Sequence, residues 1–127
     1  MTQTSEVIGE DNSMTDLMYP AETGRFARRR RELRPETEAA FQTFSKSVFE
    51  DGALSAKTKQ IIAVAAAHVT QCPYCIKGHT RAALRHGATD AELMEAIWVA
   101  AEMRAGAAYA HSALALEEME KHAATKA

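Results

Sequence analysis

Two cysteines and one histidine lie within eight residues near the middle of the chain. Cys72 and Cys75 are the only cysteines among 127 residues, in the run CPYCIKGH at 72–79, and His79 follows four positions after Cys75. Residues three and four positions apart share one face of a helix, so the three side chains would lie together. Thiols at this spacing can form a disulfide, bind a metal ion or exchange electrons with an external thiol.

The surroundings of the pair favour the redox use. A helix N-terminus stabilises a thiolate by about 0.3–1 kcal/mol, which is less than one pKa unit. Hydrogen bonds from free N–H groups add to this, and an imidazole one turn from Cys75 is a proton acceptor of the kind that an activated thiolate needs. The N-terminus lacks the basic and apolar segments of a secretory signal, so we expect a cytoplasmic protein with reduced cysteines.

Two other interpretations of the pair remain open. Both cysteines could be buried and inert. Alternatively, Cys72, Cys75 and His79 could hold a metal ion, with a fourth ligand from His68 or His111. Structural zinc sites usually bring two separated ligand pairs together, whereas three of these ligands lie within one and a half turns. We therefore favour the redox interpretation, which requires no metal and no other cofactor.

The composition predicts a globular protein without nucleic-acid or membrane partners. The hydrophobic fraction is 46%, the charged fraction is 25% and the net charge is −2. No apolar run approaches the roughly 18 residues of a transmembrane helix. The arginine-rich run at 25–34 is interpreted as a solvated helix face because the chain as a whole is acidic. The length predicts a single domain over 16–127, preceded by a flexible tail over 1–15.

Helix-start and helix-end signals place the thiol pair at a helix N-terminus. Ser55 is expected to cap a helix over about 56–70. Pro73 disfavours helical geometry at Cys72 and suits the first position of a new helix. Cys72 is therefore predicted to be the N-cap of a helix that ends before Gly87, and Gly87 suits the C′ position.

The segment before these helices predicts an amphipathic helix. Pro35 suits the first position of a helix that continues to about Glu50. Large apolar side chains recur there at three- and four-residue steps. They predict one buried stripe, formed by Phe41, Phe44, Val48 and Phe49.

The C-terminal third predicts two further helices and an oligomer. Residues 89–92 match a capping box, and the helix after them is apolar nearly all round from 96 to 101. Part of that surface is therefore expected to face another subunit. We expect a break or kink at 104–106 and a last helix over about 107–122. Because no segment alternates with a period of two, the predicted fold class is all-α.

The sequence around the pair resembles a known family. Residues 54–118 contain an LSxKTK opening, an alanine-rich helix, the motif C-x-x-C-x-x-x-H and an HGAT turn. This combination resembles the alkylhydroperoxidase-D-like branch of the carboxymuconolactone decarboxylase superfamily. The resemblance implies a small all-α bundle that assembles as a homo-oligomer, usually a trimer or hexamer.

The resemblance also implies a thiol-dependent peroxidase that reduces alkyl hydroperoxides. Cys75 would attack the peroxide as a thiolate and become a sulfenic acid, and Cys72 would resolve it to a disulfide. His79 would belong to the proton relay. An external dithiol, lipoyl-linked or thioredoxin-like, would restore the pair. The residues alone do not establish the order of the cysteines, because Cys72 at the helix cap is equally able to be the thiolate.

The chain departs from the family pattern at two places. Between the cysteines, where the family's best-known peroxidases sometimes have a histidine, this chain has Pro73 and Tyr74. Family members commonly have a glutamate twelve residues before the first cysteine, where this chain has Gln60, and an amide cannot take up a proton. The first candidate to replace that carboxylate is Glu102, although a salt bridge from Glu102 to Arg104 or Arg81 is an equal alternative. The next candidates for the relay are His68 and His111.

Two other functions are weighed against the peroxidase. The decarboxylase chemistry of the superfamily's name needs no thiol pair, so the presence of Cys72 and Cys75 counts against it. The other alternative is a non-enzymatic metal-binding or redox-sensing module.

Overall fold

The computed structural model describes residues 19–21 and 24–126, and this part of the chain is all-α, as predicted. The domain boundary predicted at 15/16 lies outside the described residues and stays a prediction. By their contacts the described residues form two compact units, which meet along the chain between residues 43 and 44. The helices of the described part are α1 (Gly24–Leu33), α2 (Pro35–Phe49), α3 (Ala56–Thr70), α4 (Pro73–Arg85) and α5 (Asp90–Thr125).

The first unit contains α1 and most of α2. The helix α1 has no buried residue. Its contacts are those of an exposed face: Arg29 forms an ion pair with Glu32 at 3.4 Å, and the guanidinium of Arg25 lies 4.5 Å from the centre of the Phe26 ring. Both partners of the ion pair are more than half exposed, so the pair stabilises the fold by no more than about 1 kcal/mol.

A small core joins α3, α4 and α5 in the second unit. Val64 of α3 and Ala83 of α4 are fully buried, and Leu93 of α5 and Ala88 of the preceding turn pack against them. Two of these four side chains are alanine methyl groups, which allows the helices to approach closely. The partly buried residues that cover this cluster are Ile61 and Ile97.

The helices begin where the local signals predict. The Ser55 hydroxyl accepts a hydrogen bond from the Thr58 N–H at 3.1 Å. Thr89 and Glu92 form the predicted capping box, in which each side chain accepts from the other residue's N–H, at 3.1 and 3.0 Å. After α4, Gly87 has φ +90°, the left-handed region that glycine enters without steric strain. Each of these signals acts through the nearest backbone groups, which is why the sequence suffices to predict it.

The C-terminal third is one helix instead of the predicted two. The break expected at 104–106 is wrong, because α5 continues through Gly106 to Thr125. A glycine inside a helix costs only about 1 kcal/mol relative to alanine, and the flanking alanine, leucine and glutamate residues are strong helix formers. Despite the length of α5, no helix in the described part of the chain is long and apolar enough to cross a membrane.

The stripe predicted to be buried on α2 is largely exposed in the single chain. Phe41 is 60% exposed, Phe44 64% and Val48 41%, and α2 has no buried residue. The prediction of burial is therefore wrong for these side chains. Periodicity identifies which face of a helix is apolar, but it does not show whether the same chain covers that face.

The continuity of α5 gives a stability prediction at Gly106. A Cβ atom added there would lie 3.3 Å from Oε1 of Glu102, the end of a flexible side chain that can move aside. We expect Gly106→Ala to raise the free energy of unfolding by about 0.5–1 kcal/mol, because alanine loses less backbone entropy in a helix. Urea denaturation measures this, and Ala105→Gly should lower stability by a similar amount. Unchanged or reduced stability of Gly106→Ala would contradict an uninterrupted helix.

Candidate functional site

The turn between α3 and α4 brings Cys72 to the start of a helix. Gln71 has φ 58° and ψ 45°, a left-handed conformation that reverses the chain at the end of α3. The backbone N–H groups of Gln71 and Cys72 both donate to the Ala67 carbonyl. Pro73 then occupies the first position of α4, so Cys72 is the N-cap, as the sequence predicts.

The two cysteines form a disulfide across the first turn of α4. Their Cα atoms are 5.3 Å apart, within the usual range for a disulfide. Sγ of Cys72 also accepts a hydrogen bond from the N–H of Cys75 at 3.2 Å. The sulfur of Cys72 thus takes the position that a serine or aspartate oxygen takes in an ordinary N-cap.

Two neighbours on other helices hold the His79 ring. Nδ1 of His79 lies 2.7 Å from Oε1 of Gln60, and Gln60 is only 8% exposed. An amide oxygen can only accept, so Nδ1 carries the hydrogen and donates it, which leaves Nε2 as the basic atom of the neutral ring. Phe49, at the end of α2, stacks on the imidazole with ring centres 5.0 Å apart and planes inclined by 26°.

The environment of His79 favours a neutral imidazole. Partial burial removes water from the ring and lowers the pKa of His79 below its ordinary value of 6.5. The ring is therefore mostly unprotonated at pH 7 and able to accept a proton. The same shift makes the fold less stable in acid: below pH 6.5 the unfolded chain binds this proton more readily than the folded chain.

An open pocket of about 420 Å³ adjoins the site. Cys75 and His79 both line it, whereas Cys72 does not. A pocket of this size suits a small organic molecule. The rest of its lining is mostly apolar and comes from the end of α2 and one side of α3: Val48, Phe49, Lys59, Ile62, Ala63, Ala66, Ala67 and Thr70.

Glu102 lies apart from this arrangement. It is exposed on α5, and no hydrogen bond or ion pair links it to another side chain of the described residues. The salt bridge considered with Arg104 or Arg81 is not formed. Arg104 instead donates a hydrogen bond to the Val69 carbonyl at 3.1 Å, near the end of α3. A relay role for Glu102 therefore stays a prediction without a contact behind it.

The two other histidine candidates have separate surroundings. Nδ1 of His68 lies 2.7 Å from the Val64 carbonyl, one turn back in the same helix, which is the usual contact of a partly buried helical histidine. His111 is exposed on the second half of α5. The described residues contain no group of three or more histidine, cysteine or acidic side chains arranged to hold a metal ion.

The sequence did not indicate that Phe49 belongs to the site, and it did not indicate that Gln60 is the hydrogen-bond partner of His79. Phe49 was assigned only to a buried stripe, and nothing in its spacing indicates a stack on a histidine thirty residues away. Gln60 was noted only as an amide in place of the family's glutamate. Its position on α3 could also have indicated that it is buried. It lies in step with Val64 and Ala67 on the buried face of α3, where a polar side chain requires a hydrogen-bond partner.

The fold and site define a class: an all-α protein with a CxxC disulfide at a helix start and a neutral histidine one turn away. The chain belongs to the carboxymuconolactone decarboxylase family, whose model matches residues 35–118. This confirms the family resemblance that was based on the sequence.

Similar proteins agree with this assignment. "Uncharacterized protein 4 in cox locus" of Paracoccus denitrificans is 65% identical over 82 residues, which cover 65% of this chain and 74% of that protein. A crystal structure from Methanobacterium thermoautotrophicum has 36% identity and a TM-score of 0.62, covering 65% of this chain and 93% of that one. The apo structure of a carboxymuconolactone decarboxylase family protein from Legionella pneumophila has 33% identity and a TM-score of 0.58, covering 87% and 89%.

The contact between Gln60 and His79 predicts the effect of restoring a carboxylate. We expect Gln60→Glu to raise the pKa of His79 by about 1–3 units, because an adjacent negative charge stabilises the imidazolium. NMR titration of the His79 ring, with the disulfide intact, measures the shift. Gln60→Met, which removes the hydrogen bond without adding charge, should leave the pKa below 6.5. An unchanged His79 pKa in Gln60→Glu would contradict the contact.

Proposed function

We propose that the protein is a thiol-dependent peroxidase that reduces organic hydroperoxides through a Cys72–Cys75 disulfide cycle in the cytoplasm. One observation carries the proposal: a cysteine of a CxxC disulfide and a neutral histidine line the same apolar pocket. The pocket can take the organic part of a hydroperoxide, and its two reactive side chains supply a nucleophile and a base. No cofactor is required for this chemistry.

The first step oxidises Cys75. Nε2 of His79 takes the proton of the Cys75 thiol, and the thiolate attacks the terminal oxygen of the hydroperoxide. The O–O bond breaks, so Cys75 becomes a sulfenic acid and the organic part leaves as an alkoxide. The imidazolium of His79 returns its proton to that alkoxide, which departs as an alcohol. A base with a lowered pKa is well suited to this return, because it releases the proton readily.

The second step forms the disulfide. Cys72, as a thiolate, attacks the sulfur of the Cys75 sulfenic acid, and the oxygen leaves as hydroxide, which becomes water on protonation. An external dithiol of the lipoyl-linked or thioredoxin-like type then reduces the disulfide. The hydrogen bond from the Cys75 N–H to Sγ of Cys72 supports this role, because it stabilises negative charge on that sulfur.

In this cycle Gln60 orients His79 and moves no proton. Its amide oxygen holds the Nδ1–H tautomer of the ring, which keeps Nε2 basic. Unlike a glutamate, it does not stabilise the imidazolium. The proton therefore passes between the Cys75 thiol and the leaving alkoxide through His79, and Gln60 carries it no further.

We also propose that the protein works as a homo-oligomer, a trimer or hexamer. From residue 101 to residue 125, α5 is exposed at every position except Gly106. Exposed side chains of this helix include Trp98, Val99, Met103, Tyr109, Leu114, Leu116 and Met119. An apolar surface of this extent is typical of a subunit interface. A second copy also offers charge complementarity, since α1 is rich in arginine and the end of α5 in glutamate.

Substitution of single residues tests the catalytic cycle. With an organic hydroperoxide and a dithiol, we expect Cys75→Ser to abolish turnover, at least about a hundredfold, because the attacking sulfur is gone. Cys72→Ser should lose turnover but still reduce about one equivalent of peroxide and accumulate a sulfenic acid at Cys75. Peroxide consumption and a sulfenic-acid trap measure the two effects. The control Glu95→Gln, at an exposed position of α5, should stay within about twofold of wild type. Full turnover by Cys75→Ser would overturn the proposal.

Light scattering after size exclusion tests the assembly. We expect the wild type to elute as three or more copies at micromolar concentration, and Trp98→Glu to weaken association at least about tenfold, since it places a charge in an apolar interface. Arg85→Glu, an exposed change at the end of α4, serves as the control and should assemble normally. A monomeric wild type would rule out the interface.

A further inference from the structure

The geometry points to a fixed order of attack when the disulfide is reduced: the reductant thiolate attacks Cys75, and Cys72 is the leaving thiolate. This inference rests on the proposed function and deepens its reductive half. Two independent observations on the two sulfurs lead to it. One concerns which sulfur an incoming thiol can reach, and the other concerns which sulfur leaves more readily.

The pocket gives access to one sulfur. Cys75 lines it and Cys72 does not. A thiolate must approach the sulfur that it attacks from the side opposite the S–S bond, so the reaction depends on which sulfur is accessible. Three of the six residues that α3 contributes to the wall are alanines, whose short side chains leave room for an aliphatic thiol. The reductant is therefore a dithiol with an apolar body that enters the same pocket as the hydroperoxide.

The helix start stabilises the other sulfur as a leaving group. Sγ of Cys72 accepts the N–H of Cys75 at 3.2 Å and lies at the positive end of the α4 dipole. A thiolate that is stabilised in this way is a better leaving group in thiol–disulfide exchange. Among the described contacts, no hydrogen bond reaches Sγ of Cys75. Its pocket neighbour His79 is neutral at pH 7 and provides no positive charge.

The step balances as a two-electron exchange. The first reductant sulfur bonds to Sγ of Cys75, the Cys72–Cys75 bond breaks, and its electron pair leaves on Cys72 as a thiolate. Nε2 of His79 takes the proton of the second reductant thiol, which attacks the first reductant sulfur. The mixed disulfide then breaks, the reductant becomes a cyclic disulfide, and Cys75 leaves as a thiolate that recovers the proton from His79. The protein disulfide is reduced and the dithiol is oxidised.

The same order favours a dithiol over a monothiol as the reductant. A monothiol would stop at the mixed disulfide on Cys75, and the thiolate of Cys72 would attack Cys75 again and expel it. A second thiol on the same molecule captures the intermediate before that reversal. Cys75 is thus the sulfur attacked in both halves of the cycle. Cys72 attacks it when the disulfide forms and leaves it when the disulfide is reduced.

A trapping experiment tests the order on the wild-type chain. The protein is oxidised with diamide, so that no peroxide is involved, and mixed briefly with N-acetylcysteamine, a neutral monothiol. The reaction is stopped with acid, free thiols are alkylated with N-ethylmaleimide, and mass-spectrometric fragmentation between Cys72 and Cys75 locates each group. We expect the cysteamine adduct on Cys75 in at least about fivefold excess, because exchange depends on access to the attacked sulfur and on stabilisation of the leaving thiolate. Equal adducts, or an excess on Cys72, would overturn the inference.

A pair of exposed positions on α3 tests the route through the pocket. Ala66 lines the pocket and Val69 does not, and both are exposed, so a larger side chain at either fits without disturbing the core. With dihydrolipoamide as reductant, Ala66→Trp should slow reduction of the disulfide at least about fivefold by blocking approach. Val69→Trp should remain within about twofold of wild type. Equal rates for the two variants would show that the reductant does not enter through the pocket.

The outcomes separate this inference from the proposed function. If the adduct is found on Cys75 but the protein consumes no hydroperoxide, the peroxidase proposal fails and the order of attack stands. If the protein consumes hydroperoxide normally and the adduct is found on Cys72, the order fails and the peroxidase proposal stands.

Discussion

The hydrogen bond between His79 and Gln60 is the contact on which the candidate site depends. It joins α4 to α3 through the buried side chain of Gln60 and the partly buried ring of His79. An imidazole in such a place needs a partner for its N–H, and the partner determines which ring nitrogen stays basic. Because Gln60 is uncharged, it selects the tautomer without favouring the imidazolium. The histidine is thereby oriented as a neutral base, and the stack with Phe49 limits its rotation.

The two sulfurs differ in their surroundings although they lie three residues apart. The left-handed conformation of Gln71 ends α3 within one residue. The next residue, Cys72, is therefore able to cap α4. Cys72 therefore receives a backbone hydrogen bond and the field of the helix N-terminus. Cys75, one turn on, faces the pocket and shares it with His79. Backbone geometry and pocket shape therefore make the two sulfurs unequal: Cys75 is open to the pocket, and Sγ of Cys72 is stabilised by a backbone N–H.

Features that depend on residues adjacent in the chain could be predicted from the sequence, whereas contacts between separate helices could not. The N-cap role of Cys72 depends on its neighbours alone, and it was predicted correctly. The predicted break near Gly106 was wrong because the small helix-destabilising effect of one glycine is outweighed by the long helix-forming segment around it. Burial of Phe44 was wrong because periodicity does not reveal what covers a face. The bond from Gln60 to His79 depends on how two helices cross, which spacing along one chain does not encode.

The polar contacts of the site join residues that are close together along the chain. Gln60 and His79 are 19 residues apart, and the cap of α3 at Ser55 and the turn at Gly87 enclose all the reacting groups. The closure of such a short segment carries a small entropy penalty. The helical hairpin from 55 to 87 therefore brings the reacting groups together through its own contacts. Substitutions on the outer surface of α5 are consequently expected to leave the geometry of these groups unaltered.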